Sequence, residues 1–172
     1  SSPVSPYILY GLMFSVGVPL GHDATLVERI RSLDRRMALL PLCTVVGTLA
    51  GAALASPLLH TVPPADAMAV GAGFGYYSLS SIFISELRSV ELGTVALLCN
   101  VLRELFTLLA APWVAGRFGP LAAISSGGAT TFDTTLPILT RVAGPQYAVV
   151  AIFHGCVTDF SVPFLVTFFC SI

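Results

Sequence analysis

Four charged residues lie inside long apolar stretches of this sequence: Arg103, Glu104, Asp133 and Asp159. A charge at the centre of a bilayer costs about 2.5–3.5 kcal/mol on insertion scales, so it is retained where it is paired, faces a cavity or has a function. His154 adds a fifth titratable group. Residues of these types can bind a cation and hold protons, which is the chemistry of ion-coupled transport.

The spacing of the first two charges indicates how they are used. Arg103 and Glu104 are adjacent, so on a helix their side chains point about 100° apart and cannot simply neutralise each other. Asn100 and Glu104 are four residues apart and share a face. We therefore expect Arg103 to reach a partner on another element, with Asp133 as the best candidate. An ion pair that only holds helices together is the alternative.

The remaining groups permit more than one reading. His154 and Asp159 are five residues apart, on different faces of a helix, and offer too few ligands for a metal. His154 is either a hydrogen-bonded core residue or part of a proton relay. Asp159, four residues before Pro163, is interpreted as structural or water-facing. The aspartates lack the pattern of a protease and no Ser–His pair stands out, so we expect neither an enzyme nor a cofactor.

Composition identifies the class of protein that must position these residues. The chain is 55% hydrophobic and only 10% charged, with a mean hydropathy of +0.88, whereas soluble domains carry roughly 25% charged residues. We predict an all-α integral membrane protein with one transmembrane domain over residues 1–172. The net charge of −1 includes no basic patch for nucleic acid.

Hydropathy predicts about six membrane-crossing segments. A charged interfacial helix at 21–36 is predicted between the first and the second of them. The crossings are residues 7–20, 37–60, 66–85, 92–115, 121–140 and 146–172. Arginines in the interfacial segment assign it to the cytoplasm by the positive-inside rule. Strict alternation then predicts Arg88 and Arg141 inside, Arg117 outside, and both termini external.

Two of these segments contain helix-breaking residues. Glycines and hydroxyl residues cluster at 71–81 and again at 125–135, which weakens continuous helix. A membrane accepts irregular backbone only where protein or a water-filled cavity satisfies it. We predict two broken or re-entrant helices whose breaks lie close together. Elsewhere, Gly47 and Gly51 form a GxxxG pair that permits close helix contact.

Four short strings in this order resemble a known family. They are GFGYYSLS (73–80), NVLRE (100–104), GGATTFDTTLP (127–137) and HG (154–155). Together they are similar to the C-terminal half of the LysO-type lysine exporters, over nearly the whole chain. The resemblance implies export of L-lysine, and of its analogue thialysine, across a bacterial inner membrane. It also implies that Glu104 and Asp133 are the intramembrane acids on which activity depends.

Such a substrate fits the chemistry of these residues. Glu104 and Asp133 suit an ammonium group, while Arg103 or a half-helix N-terminus near Gly127 and Gly128 suits the carboxylate. The remaining polar lining is predicted to come from Asn100, Ser78, Thr131 and Thr134. Burial disfavours charged carboxyl groups, so the same acids could take up protons when lysine leaves. Proton antiport is therefore expected, with His154 as a third proton-coupling residue.

Two alternatives to a self-sufficient lysine exporter remain open. Members of the family carry further N-terminal helices, so we expect a homo-oligomer or a companion subunit that supplies them. The chain would then be one membrane subunit of a larger transporter. It could also be an exporter or channel for another small amino acid or cation. Membrane lipid and protons are the other expected partners.

Overall fold

The computed structural model describes residues 35–59 and 62–172. The predicted crossing at 7–20 and nearly all of the interfacial segment 21–36 lie outside these residues. Regular structure in the described ranges is helical, and a single turn at Arg35–Ala38 precedes seven longer helices. These are α1 (Leu40–Ala55), α2 (Pro64–Gly71), α3 (Tyr77–Leu87), α4 (Val90–Phe118), α5 (Pro120–Gly127), α6 (Leu136–Ala143) and α7 (Ala148–Ser171).

Three helical stretches in the described ranges are long and apolar enough to cross a membrane. They are Leu40–Leu58, Val90–Phe118 and Pro145–Ser171. The first includes α1 and the 3-10 turn that continues it, and the last includes α7 with the 3-10 turn before it. At roughly 1.5 Å per residue, even the shortest is close to the ~30 Å hydrocarbon thickness. Their positions match three of the predicted crossings.

The predicted crossing at 66–85 is wrong, because this segment turns back. Asp66 lies in the first turn of α2, and its Oδ1 is 3.1 Å from Nε of Arg88, directly after α3. In one straight helix these residues would be about 33 Å apart. Helices α2 and α3, with the connection 72–76 between them, therefore form a re-entrant hairpin, here called the first hairpin.

The predicted crossing at 121–140 is wrong for the same reason. Leu139 of α6 packs with Ala123 of α5 and with Ala111 and Val114 near the end of α4. Since α5 begins immediately after α4, this contact returns α6 to the level where α5 started. Helices α5 and α6, with residues 128–135 between them, form the second hairpin. Prolines at the first positions of both helices suit these starts.

The two hairpins enter from opposite ends of the long helices. Met37 before α1, Leu121 of α5 and Tyr147 before α7 pack around one cluster, so these termini share one end, which we call the Arg141 face. Arg88 reaches the carbonyl of Phe169 near the end of α7 at 3.5 Å, which defines the opposite Arg88 face. Arg117, in the last turn of α4, belongs with Arg141. The strict alternation of loops is therefore wrong for Arg88 and Arg117.

The two breaks meet between the long helices, as predicted. The N–H of Ala129 donates to the carbonyl of Phe74 at 2.8 Å. Gly128 has φ 62°, and a Cβ there would overlap the Phe74 carbonyl. Phe74 itself has φ 46°, a conformation that bulky residues rarely adopt. We call residues 72–76 the first tip and residues 128–135 the second tip.

Candidate functional site

Asn100 of α4 holds the first tip. Its Oδ1 accepts from the N–H of Gly75 at 2.7 Å, and its Nδ2 donates to the carbonyls of Ala96 at 2.8 Å and Val70 at 3.2 Å. The backbone at Gly73 comes so close that a Cβ there would overlap Nδ2. Asn100 is 3% exposed. Its amide is thus committed to the tip, although the sequence predicted it as substrate lining.

Arg103, one turn further along α4, holds the second hairpin. Its Nε donates to the carbonyl of Ser126 at 3.0 Å, Nη2 to that of Ser125 at 3.1 Å, and Nη1 to Oγ1 of Thr48 at 3.2 Å. Carbonyls at a helix C-terminus lack intrahelical partners and carry partial negative charge. The guanidinium therefore caps α5. In the described ranges the expected ion pair with Asp133 does not form.

This geometry also corrects the prediction for Gly127 and Gly128. Both were expected near a half-helix N-terminus, but α5 ends at Gly127. Both glycines are buried, and a Cβ at Gly127 would be 2.5 Å from Cγ2 of Thr131. Carbonyls, not amides, are therefore presented by this end of α5. The direction of the half-helix could not be read from composition, because it depends on which way the segment enters.

His154 of α7 links the second tip to α1. Its Nε2 is 2.8 Å from Oγ1 of Thr44, and its Nδ1 is 3.1 Å from Oγ1 of Thr131. The Thr131 hydroxyl reaches the carbonyls of Gly128 at 2.9 Å and Ala151 at 2.8 Å, so its hydrogen is used. The Thr44 hydroxyl likewise donates to a carbonyl, that of Leu40 at 3.1 Å, so each ring nitrogen of His154 contacts a hydroxyl that is also bonded to backbone. His154 and Thr131, both 0% exposed, thereby position the tip.

A second group of predicted residues lies on accessible surfaces. Asp133, Thr134 and Ser78 are exposed, and Oδ1 of Asp133 accepts from the N–H of Thr134. Glu104 is partly exposed, one turn from Asn100 on α4. No hydrogen bond to the Glu104 carboxylate is found within residues 35–59 and 62–172. Asp133 and Glu104 thus keep carboxylate oxygens without a hydrogen-bond partner in the described ranges. The side chains of Asn100, Arg103 and His154, in contrast, are hydrogen-bonded to the protein.

Helix α3 presents a half-helix N-terminus at the depth of the tips. It starts at Tyr77, next to the first tip. The N–H groups of Ser78 and Leu79 find no backbone acceptor in the part of the chain that the structure describes. Unpartnered amides in a first turn attract anions. This end of α3 can therefore bind an anion such as a carboxylate. The sequence had predicted that property near Gly127 and Gly128.

Sequence reasoning gave no functional role to Asp159, beside the second tip, or to Tyr76, the last residue of the first tip. Asp159 is 4% exposed and lies one helical turn after Gly155, which touches the second tip. Tyr76 packs against the buried cluster that contains Ala129 of the second tip. The available signal was the carboxylate of Asp159 within the apolar stretch of α7.

The sequence model of the family described as lysine exporter LysO matches residues 1–170. The chain belongs to this lysine exporter family. Over 169 residues it is 33% identical to the lysine exporter LysO of Escherichia coli (strain K12), covering 98% of this chain and 56% of that protein. Over 165 residues it is 29% identical to a putative lysine exporter of Haemophilus influenzae (strain ATCC 51907 / DSM 11121 / KW20 / Rd), covering 96% and 83%.

The likeness to these relatives covers only part of one of them and rests on sequence alone. The chain spans about half the length of the Escherichia coli relative that it matches. No solved structure matches it. Membership of the lysine exporter family, together with three helices of membrane-crossing length, identifies a membrane-embedded chain of a transporter family.

Proposed function

We propose that this chain forms the core of a secondary transporter that exports L-lysine, and its analogue thialysine, across a bacterial inner membrane. The observation that carries the proposal is the contact between the two tips, where the Ala129 amide meets the Phe74 carbonyl at 2.8 Å. Broken helices that meet at mid-membrane depth are where transporters bind substrates. Family membership supplies the substrate class.

The chemistry around the tips suits a cationic amino acid. Asp133 is exposed in the second tip, and Glu104 is partly exposed on α4; each can accept from an ammonium group. The unpartnered amides of Ser78 and Leu79 can donate to the substrate carboxylate. Hydroxyls of Ser78 and Thr134 complete the accessible lining. Asn100, Arg103, Thr131, Gly127 and Gly128 contribute by fixing the shape of the tips.

We propose proton antiport as the coupling. When lysine leaves, the carboxylates of Glu104 and Asp133 would remain as uncompensated charges at membrane depth, which is costly. Uptake of a proton by either acid removes that cost and resets the site. The hydrogen bonds of His154 to Thr44 and Thr131 favour a positioning role for it. A direct role for His154 in coupling is the less favoured version.

The orientation follows from the arginines. Arg117 and Arg141 are on the same face as the start of α1, so the positive-inside rule assigns the Arg141 face to the cytoplasm. The end of α7 is then external. We further propose that the chain works as a homo-oligomer or with a companion subunit. Gly47 and Gly51, where an added Cβ would have no neighbouring atom within 4 Å, are one available contact.

The test is counterflow of radiolabelled lysine into proteoliposomes that contain this chain. We expect lysine-loaded vesicles to accumulate label, and an imposed pH gradient to change the rate. Equal uptake of labelled leucine would contradict a cationic substrate. Lysine flux that is indifferent to the pH gradient would contradict antiport and favour a channel. Activity that appears only with an added N-terminal half would identify the chain as a dependent subunit.

A further inference from the structure

Asp159 lies beside the second tip. Its helix α7 touches that tip at Gly155, where a Cβ would be 2.6 Å from the backbone nitrogen of Phe132 and 2.7 Å from Oγ1 of Thr131. Asp133 follows Phe132 in the chain, and Asp159 is one helical turn beyond Gly155. One turn rises about 5.4 Å, so the two aspartates flank the same contact.

The Asp159 side chain has no visible partner. It is only 4% exposed, and no described residue donates a hydrogen bond to its carboxylate. Buried carboxylates are normally hydrogen-bonded or paired with a cation. Two arginines that contact the hairpins are already used, since Arg103 caps α5 and Arg88 pairs with Asp66. A cation brought by a ligand would provide the partner that the described residues do not.

The surroundings specify the charge of that ligand. Asp133 and Asp159 both bring a carboxylate to this contact, so a ligand bound between them must be cationic. Tyr76 packs against the buried cluster that contains Val162, one turn beyond Asp159, and Ala129 of the second tip. The two carboxylates and the Tyr76 hydroxyl can all accept hydrogen bonds from a primary ammonium group, which has three donors.

We propose that Asp159 is a substrate-binding residue, which together with Asp133 and Tyr76 receives one ammonium group of the transported amino acid. This inference rests on the proposed function and names a residue that the sequence had left as structural or water-facing. Asp159 adds a third carboxylate to the Glu104 and Asp133 pair. The lysine cation would complete the hydrogen bonding that the Asp159 carboxylate lacks.

The experiment measures binding of radiolabelled lysine to the full chain in nanodiscs, with cadaverine and norleucine as competitors. Cadaverine keeps both amines but lacks the carboxylate, whereas norleucine lacks the side-chain amine. For Asp159→Asn we expect lysine and cadaverine affinities to fall together, by about tenfold or more. Asp159→Glu should restore part of the loss. Glu91→Gln, which removes an exposed carboxylate at the start of α4, is the control.

Tyr76→Phe provides a second variant that removes only a hydroxyl, with an expected loss of roughly threefold to tenfold in lysine affinity. Wild-type lysine affinity in folded Asp159→Asn would overturn the proposal. So would a loss confined to lysine with cadaverine unchanged, because Asp159 would then not act on an amine. Failure of the wild-type chain to bind lysine at all would instead count against the proposed function.

Discussion

At the scale of single residues, the polar groups of this membrane protein divide by burial. Asn100, Thr131 and His154 are buried and use their hydrogen-bonding atoms on backbone or hydroxyl groups of the tips. Asp133 and Glu104 keep accessible oxygens. The first group lowers the cost of irregular backbone at membrane depth, whereas the second leaves carboxylate oxygens accessible.

The accessible acids are expected to be essential for transport and dispensable for folding. Replacing Glu104 by Gln or Asp133 by Asn keeps the shape and removes the charge that binds an ammonium group. Each variant should lose lysine counterflow while remaining monodisperse in detergent, and Glu91→Gln should transport normally. If either neutral variant moves lysine at the wild-type rate with the same pH dependence, that residue is structural.

Arg103 is expected to behave in the opposite way. A lysine side chain in place of Arg103 keeps the charge. It cannot reproduce the guanidinium fork that reaches the carbonyls of Ser125 and Ser126. Arg103→Lys should therefore lower the free energy of unfolding by about 1–3 kcal/mol, seen as a lower midpoint of thermal unfolding. Arg117→Lys, at an exposed position, is the matched control. An unchanged midpoint for Arg103→Lys would mean that the cap does not stabilise α5.

At the scale of elements, each hairpin is two short helices joined by an irregular tip. Helices α2, α5 and α6 have only eight residues each, too short to be stable alone in water. Their stability comes from packing on α4 and α7 and from the tip contacts. Close approach of backbone to backbone at the tips is what requires glycine.

A substitution at Gly128 tests the contact between the two tips. Alanine there would have to adopt φ near 62° and would overlap the Phe74 carbonyl, so Gly128→Ala should destabilise the protein by about 1–3 kcal/mol. Gly116→Ala is the control, because Gly116 lies in helix α4 with nothing within 4 Å of an added Cβ. That control should be neutral or slightly stabilising. Equal thermal midpoints for both variants would argue against close contact of the tips.

At the scale of the whole molecule, the described chain repeats one plan twice. The first hairpin is followed by α4, and the second hairpin is followed by α7. The hairpins enter from opposite faces, so the two units have inverted topology, which is a common plan among secondary transporters.

Labelling from outside the cell tests this topology. In a background without the four native cysteines, we expect Ser171→Cys to react with a membrane-impermeant reagent. Arg117→Cys and Arg141→Cys should both be protected, since they share the Arg141 face. A chain in which residues 121–140 crossed the membrane would put positions 117 and 141 on opposite sides. Different reactivity at these two positions would therefore refute the re-entrant second hairpin.

The sequence by itself determined the membrane environment, the long apolar helices, the positions of the two breaks and the acids near them. These properties are local: hydropathy, glycine content and the cost of a buried charge are set by a residue and its neighbours in the chain. Resemblance at GGATTFDTTLP and the other strings also identified the family. The adjacency of the breaks was predicted because each needs protein or water to satisfy its backbone.

Only the tertiary structure decided whether a broken apolar segment crosses the membrane or returns. Segments of about 20 residues are long enough for either outcome, and the choice depends on distant contacts such as Asp66 with Arg88 and Leu139 with Ala111. The same contacts fixed the direction of α5, and hence why Arg103 binds its carbonyls rather than Asp133. Partners far apart in the chain leave no local periodicity, so the sequence could locate these charges but not pair them.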